Sequence, residues 1–276
     1  MDLVIQGASL TDRDIGELAR LSGVRPVLPS GPGVCRLAGA RQGTDIAEYC
    51  ARARLDFGFV PEHRRLADMR LLAIDMDSTL ITIECIDEMA DLAGAKAEVS
   101  AITAAAMAGE LEYTESLRRR VQLLRGLDES ALARVYEERL RLSPGAETML
   151  TAAKAAGVRT LLVSGGFSYF TEHLKIRLAL DYASSNVLEI ADGHLTGNLI
   201  GDIVDADAKA SRLREARDQM GIEKERIIAI GDGANDLAMM AEAGMSIAYH
   251  AKPVVRSKAN YVLDYAGLDG VLNLFA

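Results

Sequence analysis

The stretch Leu71-Leu-Ala-Ile-Asp75-Met-Asp77-Ser-Thr-Leu80 sets an apolar run directly before two aspartates spaced two apart. Four apolar residues of this kind read as a short buried strand. Such a strand ends at the carboxyl edge of a sheet, where open α/β folds hold their ligands. While the backbone stays extended, period-2 spacing leans both side chains the same way. The plainer reading is helix capping by Asp77, Ser78 or Thr79, with Asp75 ending the strand.

Two further stretches share this form. Residues 163–167, VSGGF, follow an apolar run with a Gly turn expected to open a helix. Residues 230–236, IGDGAND, place Asp232 after a strand and Asp236 at a helix start. Acidic groups gathered at one sheet edge repel unless a cation sits between them. Oxygen ligands select Mg²⁺ over zinc, and the sequence offers no His or Cys cluster for zinc. Ser164 and the backbone N–H groups beside it suit a phosphate. Lys209 is the candidate cation, although a solvated helix lysine has the same spacing. Together these residues suit phosphoryl transfer, with one aspartate attacking phosphorus and the other moving protons.

From residue 70 onward strands alternate with helices, which predicts an α/β fold with a mostly parallel sheet covered on both faces. The helical stretch at about 84–142 is too long for one crossover and reads as an inserted cap. Ser143 is the expected N-cap of the next helix, with Pro144 at its first position. Asp192-Gly193 predicts a hairpin turn. Residues 1–66 read as a small α+β unit, with Thr11 capping a helix that ends near Gly23. A proline turn accounts for SGPGV at 30–34, which lacks the strand-to-helix context of a phosphate loop.

The chain has 276 residues and a net charge of −9. Residues 1–66 carry nine Arg, no Lys and eight acids, so the acidity lies in the rest. An acidic chain without a basic stripe argues against nucleic acid as a partner. No apolar run is long enough to span a bilayer, so a membrane is not expected either. Three separated cysteines and an N-terminus without a basic region predict reduced thiols in the cytoplasm.

In order, Asp75-Met-Asp77-Ser-Thr79, Ser164-Gly-Gly166, Lys209 and Gly231-Asp232-Gly-Ala-Asn235-Asp236 resemble the four motifs of the haloacid dehalogenase (HAD) superfamily of phosphatases. The wider wording of residues 75–94, 116–124, 163–167 and 231–253 resembles the branch that hydrolyses O-phospho-L-serine, the last step of L-serine biosynthesis. This resemblance spans about residues 70–270. It implies a Rossmann-like HAD core over 70–276, with the cap inserted and the α+β unit of 1–66 outside the match. Related enzymes often carry a regulatory ACT-like domain there, and a shortened version is the corresponding expectation.

By the same resemblance Asp75 is the nucleophile and Asp77 the general acid/base. Mg²⁺ is held by the Asp75 carboxylate, the Asp77 backbone carbonyl and Asp232, with waters supported by Asp236. Ser164 and the Gly165 N–H receive the phosphoryl group, Asn235 touches it, and Lys209 balances the carboxylates. In the cap, Glu84 matches the group that receives the substrate ammonium and Arg120 the one that pairs with its carboxylate. Tyr113 stands where the family commonly has Phe, in the cap region that closes over the substrate, and its added hydroxyl has either solvent or substrate within reach. A relative that passes the phosphoryl group to another hydroxy amino acid, such as homoserine, carries the same signals.

Overall fold

The computed structural model describes residues 1–26, 31–107 and 109–276. The expected proline turn falls partly on 27–30, outside the described residues. Its far end, Gly31–Val34, does turn, with the Val34 N–H donating to the Gly31 carbonyl at 3.2 Å.

The chain opens with β1 (Asp2–Gln6), α1 (Asp12–Ser22), β2 (Val34–Leu37), α2 (Thr44–Ala53) and β3 (Asp56–Val60). These strands form an antiparallel sheet in the order β2-β1-β3. Thr11 caps α1 in a reciprocal box with Asp14, and Gly23 ends it at φ 72°. The box satisfies two backbone donors that the first turn leaves free. Leu3, Ile5, Leu18, Ile46 and Cys50 fill a small core between sheet and helices.

The second sheet begins with β4 (Leu71–Ile74). A helical insertion follows as α3 (Cys85–Leu92), α4 (Lys96–Met107), α5 (Tyr113–Gln122) and α6 (Ser130–Arg134), over the stretch expected to form a cap. The chain then runs through α7 (Ala146–Ala155), β5 (Arg159–Phe167), α8 (Ser168–Leu178), β6 (Tyr182–Ala191) and β7 (His194–Ile200). It closes with α9 (Ala206–Met220), β8 (Ile227–Gly231), α10 (Leu237–Ala241), β9 (Met245–Tyr249), α11 (Pro253–Arg256) and β10 (Tyr261–Leu263). The sheet order is β10-β9-β8-β4-β5-β6-β7, parallel except for the β6–β7 hairpin. Asp192 and Gly193 turn that hairpin with φ 50° and 75°, as a two-residue turn of the expected hand requires.

β4 lies at the centre, and its side chains alternate between two buried faces. Leu72 and Ile74 enter a core with Met149 of α7 and Phe170 of α8, whereas Leu71 and Ala73 enter another with Leu213 of α9 and Met239 of α10. Each fully buried Leu or Ile contributes about 1.5–3 kcal/mol. The central strand is therefore apolar throughout, and its charges begin only where it ends.

Two local expectations are corrected. α7 starts at Ala146, behind Gly145 at φ 77°, rather than behind Ser143 and Pro144. A Cβ at Gly145 would overlap Asp269, so the close approach of the C-terminal segment requires the glycine and delays the helix. VSGGF does not turn: β5 stays extended to Phe167, with its pairing to β6 slipping between Val163 and Phe167. Its glycines serve close approach instead, because a Cβ on Gly166 would lie 2.7 Å from the Asp77 carboxylate.

Candidate active site

β4, β8 and the bulged end of β5 deliver their loops to one edge. The Asp75 N–H continues the ladder by donating to the Ile230 carbonyl at 3.0 Å, which fixes the first aspartate against β8. Beyond it the chain makes one wide turn, closed by Leu80 N–H to Asp75 O and Ile81 N–H to Met76 O. Ser78 reverses direction at φ 55°, an uncommon conformation for a residue with a side chain. Its hydroxyl donates to Glu84 at 2.6 Å.

This turn separates the two aspartates. Asp75 is buried and accepts from the Lys209 ammonium at 2.6 Å. Lys209 also donates to Asp236 at 2.7 Å, and both Lys209 and Asp236 are wholly buried. Burial opposes the Lys209 charge, but Asp236 and Asp75 outweigh it and raise the ammonium pKa. Burial also raises the Asp75 pKa, with Asp236 adding to the effect and Lys209 opposing it.

Asp77 instead accepts from the Cys85 N–H at 3.0 Å, eight residues along the chain. Asp77 is therefore not an N-cap, a position Glu84 holds, but its carboxylate satisfies the first N–H of α3 from a distance. Burial first, then the nearby Glu84 charge, push the Asp77 carboxyl up to about 7. One environment holds a carboxylate beside an ammonium, and the other favours a carboxyl that is protonated part of the time near neutrality.

Asp232 completes the cluster. Carboxylate oxygens of Asp75, Asp232 and Asp236 all lie within 4.8 Å of one another. Burial and then Asp236 push Asp232 up to about 6, an excess of negative charge that a cation relieves. All-oxygen donors of this kind fit a hard divalent metal. Thr79 donates to Asp232 at 3.1 Å, the Lys252 N–H donates to the Asp232 carbonyl at 3.0 Å, and Asp236 accepts from the Gly233 N–H at 3.0 Å.

The Ser164 hydroxyl accepts from the Gly166 N–H at 2.8 Å, which folds the side chain over the bulge. Tyr113, from the first turn of α5, covers Gly165 so closely that a Cβ there would overlap its hydroxyl. Burial raises the Tyr113 pKa. Glu84 is exposed on the approach to α3, and Asn235 is half-buried beside Asp236. Arg120 is half-buried and enters no ion pair among the described residues, whereas its neighbour Arg119 is tied to Glu115 at 2.6 Å.

Sequence reasoning missed Thr79 and the Lys252 backbone N–H as supports of Asp232. Thr79 had a signal, since a small hydroxyl ends the acidic motif. Lys252 lies within the matched wording of 231–253, but its contact runs through a backbone N–H that residue type does not reveal.

The chain matches the family model for haloacid dehalogenase-like hydrolases over residues 72–241. It belongs to that family. It is 54% identical over 215 residues to a phosphoserine phosphatase of Polaromonas sp. strain JS666, an alignment covering 76% of this chain and 91% of the relative. The crystal structure of a probable phosphoserine phosphatase from Vibrio cholerae, in unliganded form, superposes with a TM-score of 0.86 at 38% identity. That match covers 99% of this chain and 85% of the other. A structure of a phospho-aspartyl intermediate analogue of phosphoserine phosphatase superposes with a TM-score of 0.71 at 38% identity. It covers 75% of this chain and 99% of that one.

Proposed function

We propose that this HAD hydrolase is a Mg²⁺-dependent phosphoserine phosphatase, converting O-phospho-L-serine and water to L-serine and phosphate in the cytoplasm. The observation that carries the reading is the division between two neighbouring carboxyls: Asp75 ion-paired to buried Lys209, and Asp77 off that pair and held by the Cys85 N–H. Similarity to phosphoserine phosphatases supplies the substrate, and the three free buried cysteines suit a reducing compartment.

Asp75 attacks phosphorus as the serine oxygen departs, giving an aspartyl-phosphate. Asp77 gives its proton to that oxygen, then takes one from the water that attacks the phosphoryl group, and phosphate leaves. Asp75, Asp232 and the Asp77 carbonyl would hold Mg²⁺, with Asp236 supporting its waters. When bound, the metal neutralises phosphoryl charge and aligns its oxygens. Ser164, the Gly165 N–H and Asn235 orient the phosphoryl group, and Lys209 keeps the carboxylates from repelling it. Arg120 offers a fork to the substrate carboxylate, and Glu84 receives its ammonium. Tyr113 closes over the phosphoryl side from the cap.

The test is phosphate release from a panel. With Mg²⁺, O-phospho-L-serine should turn over far faster than phosphothreonine or sugar phosphates. A flat profile contradicts the assignment. Added homoserine should leave free phosphate as the product; capture of the phosphoryl group by homoserine would favour the transferase reading.

A further inference from the structure

We propose that Asn186 is a positioning residue that locks the Gly165 peptide of the phosphoryl-binding segment to the start of the helix carrying Lys209. β5 and β6 pair in parallel at Val163 and Ser184, and pair again only at Phe167 and Asn186. Four steps along β5 therefore match two along β6, so Ser164–Gly166 bulges out of the ladder. Bulges re-aim backbone groups, and the groups they free need other partners.

Asn186 supplies them from a side chain only 2% exposed. Its Nδ2 donates to the Gly165 carbonyl at 2.8 Å, while its Oδ1 accepts from the Val204 N–H at 2.8 Å. The partners fix the orientation of the amide, since a carbonyl only accepts and an N–H only donates. Val204 directly precedes Asp205, which caps α9 by accepting from the Ala208 N–H at 2.9 Å. Lys209 follows in the first turns and reaches Asp75 and Asp236. One amide thus ties the backbone on the phosphoryl side to the support of the buried cation. Holding the carbonyl of Gly165 fixes the plane of the peptide that begins there, and with it the bulge presenting the Gly165 N–H. Tyr113 packs on the same glycine from the cap side. The inference rests on the reading that this segment receives a phosphoryl group.

Asn186→Asp keeps an acceptor for Val204 but turns the donor facing Gly165 into an acceptor. Asn186→Leu removes both bonds at similar volume. In the full chain with Mg²⁺, both should lower kcat by about 30-fold or more, as small misplacements of reacting groups do. The loss should be equal for O-phospho-L-serine and p-nitrophenyl phosphate, because the phosphoryl group is common to both. Inhibition by inorganic phosphate should weaken about tenfold in the same variants. Wild-type kcat and phosphate inhibition in either variant overturn the proposal. So does activity lost only in proportion to unfolded protein, with unchanged phosphate inhibition.

Amide hydrogen exchange at Gly165 and Gly166, followed by NMR, reads the link without turnover. Faster exchange by about tenfold in Asn186→Asp supports it, and unchanged rates overturn it. Wild-type protein that hydrolyses neither substrate defeats the phosphatase reading but leaves this exchange measurement decisive for Asn186.

Discussion

Asp75 and Asp77 are the same residue type two positions apart, yet they have different partners. A left-handed Ser78 and the long reach to Cys85 turn Asp77 away from Lys209. The sequence made the acidic clustering legible through Asp75, Asp77, Asp232 and Asp236. The division of partners was not legible from spacing, because it depends on a wide turn that period-2 reasoning does not anticipate. Asp75→Asn should reduce phosphoserine turnover by on the order of 10⁶-fold, as removal of a nucleophile does. Substantial residual turnover by the purified variant would remove Asp75 from that role. Arg120→Ala removes the fork proposed for the substrate carboxylate. Its kcat/KM for O-phospho-L-serine should fall by roughly 30- to 100-fold, the scale of one charge-assisted pair. p-Nitrophenyl phosphate, which lacks the carboxylate, should be nearly unaffected. Equal losses on the two substrates contradict the assignment.

At the scale of elements, α/β alternation and the Asp192-Gly193 hairpin were readable because local periodicity and turn chemistry determine them. The bulge in β5 was not. Two glycines after a serine look like a turn, whereas here they admit Asp77 and Tyr113 at close range. The start of α7 was misplaced for a related reason: Asp269, more than a hundred residues away, occupies the space beside Gly145. The Tyr113–Gly165 contact between α5 and β5 makes a coupled prediction. Gly165→Ala should cut kcat by about tenfold or more, because its methyl meets the Tyr113 hydroxyl. Adding Tyr113→Phe should recover part of that loss, as neighbouring sites are not additive. If the double variant is no better than Gly165→Ala alone in a kinetic comparison, Tyr113 is not what Gly165 accommodates.

Across the whole molecule, the N-terminal unit is anchored to the segment that follows the last strand of the large sheet. Asp56 accepts from the backbone N–H groups of Asp264, Tyr265 and Ala266, and Gln6 donates to the Gly270 carbonyl. Asp56→Ala removes the buried carboxylate that holds these three half-exposed N–H groups and should cost about 1–3 kcal/mol, read as a drop in urea midpoint. No helix among the described residues is long and apolar enough to cross a membrane. The proposed metal is tested at this scale, since the three gathered carboxylates come from two distant segments. Chelation should abolish turnover and lower Tm, and added Mg²⁺ should restore both, because a ligand that binds only the folded state stabilises it. Unchanged Tm and turnover after complete chelation would count against a bound cation. The central claim is covalent transfer to Asp75, and acid quenching during turnover of ³²P-labelled O-phospho-L-serine tests it directly. The account predicts label on the peptide containing Asp75, released by hydroxylamine and missing from Asp75→Asn; an unlabelled wild-type chain, or label at another residue, would contradict it.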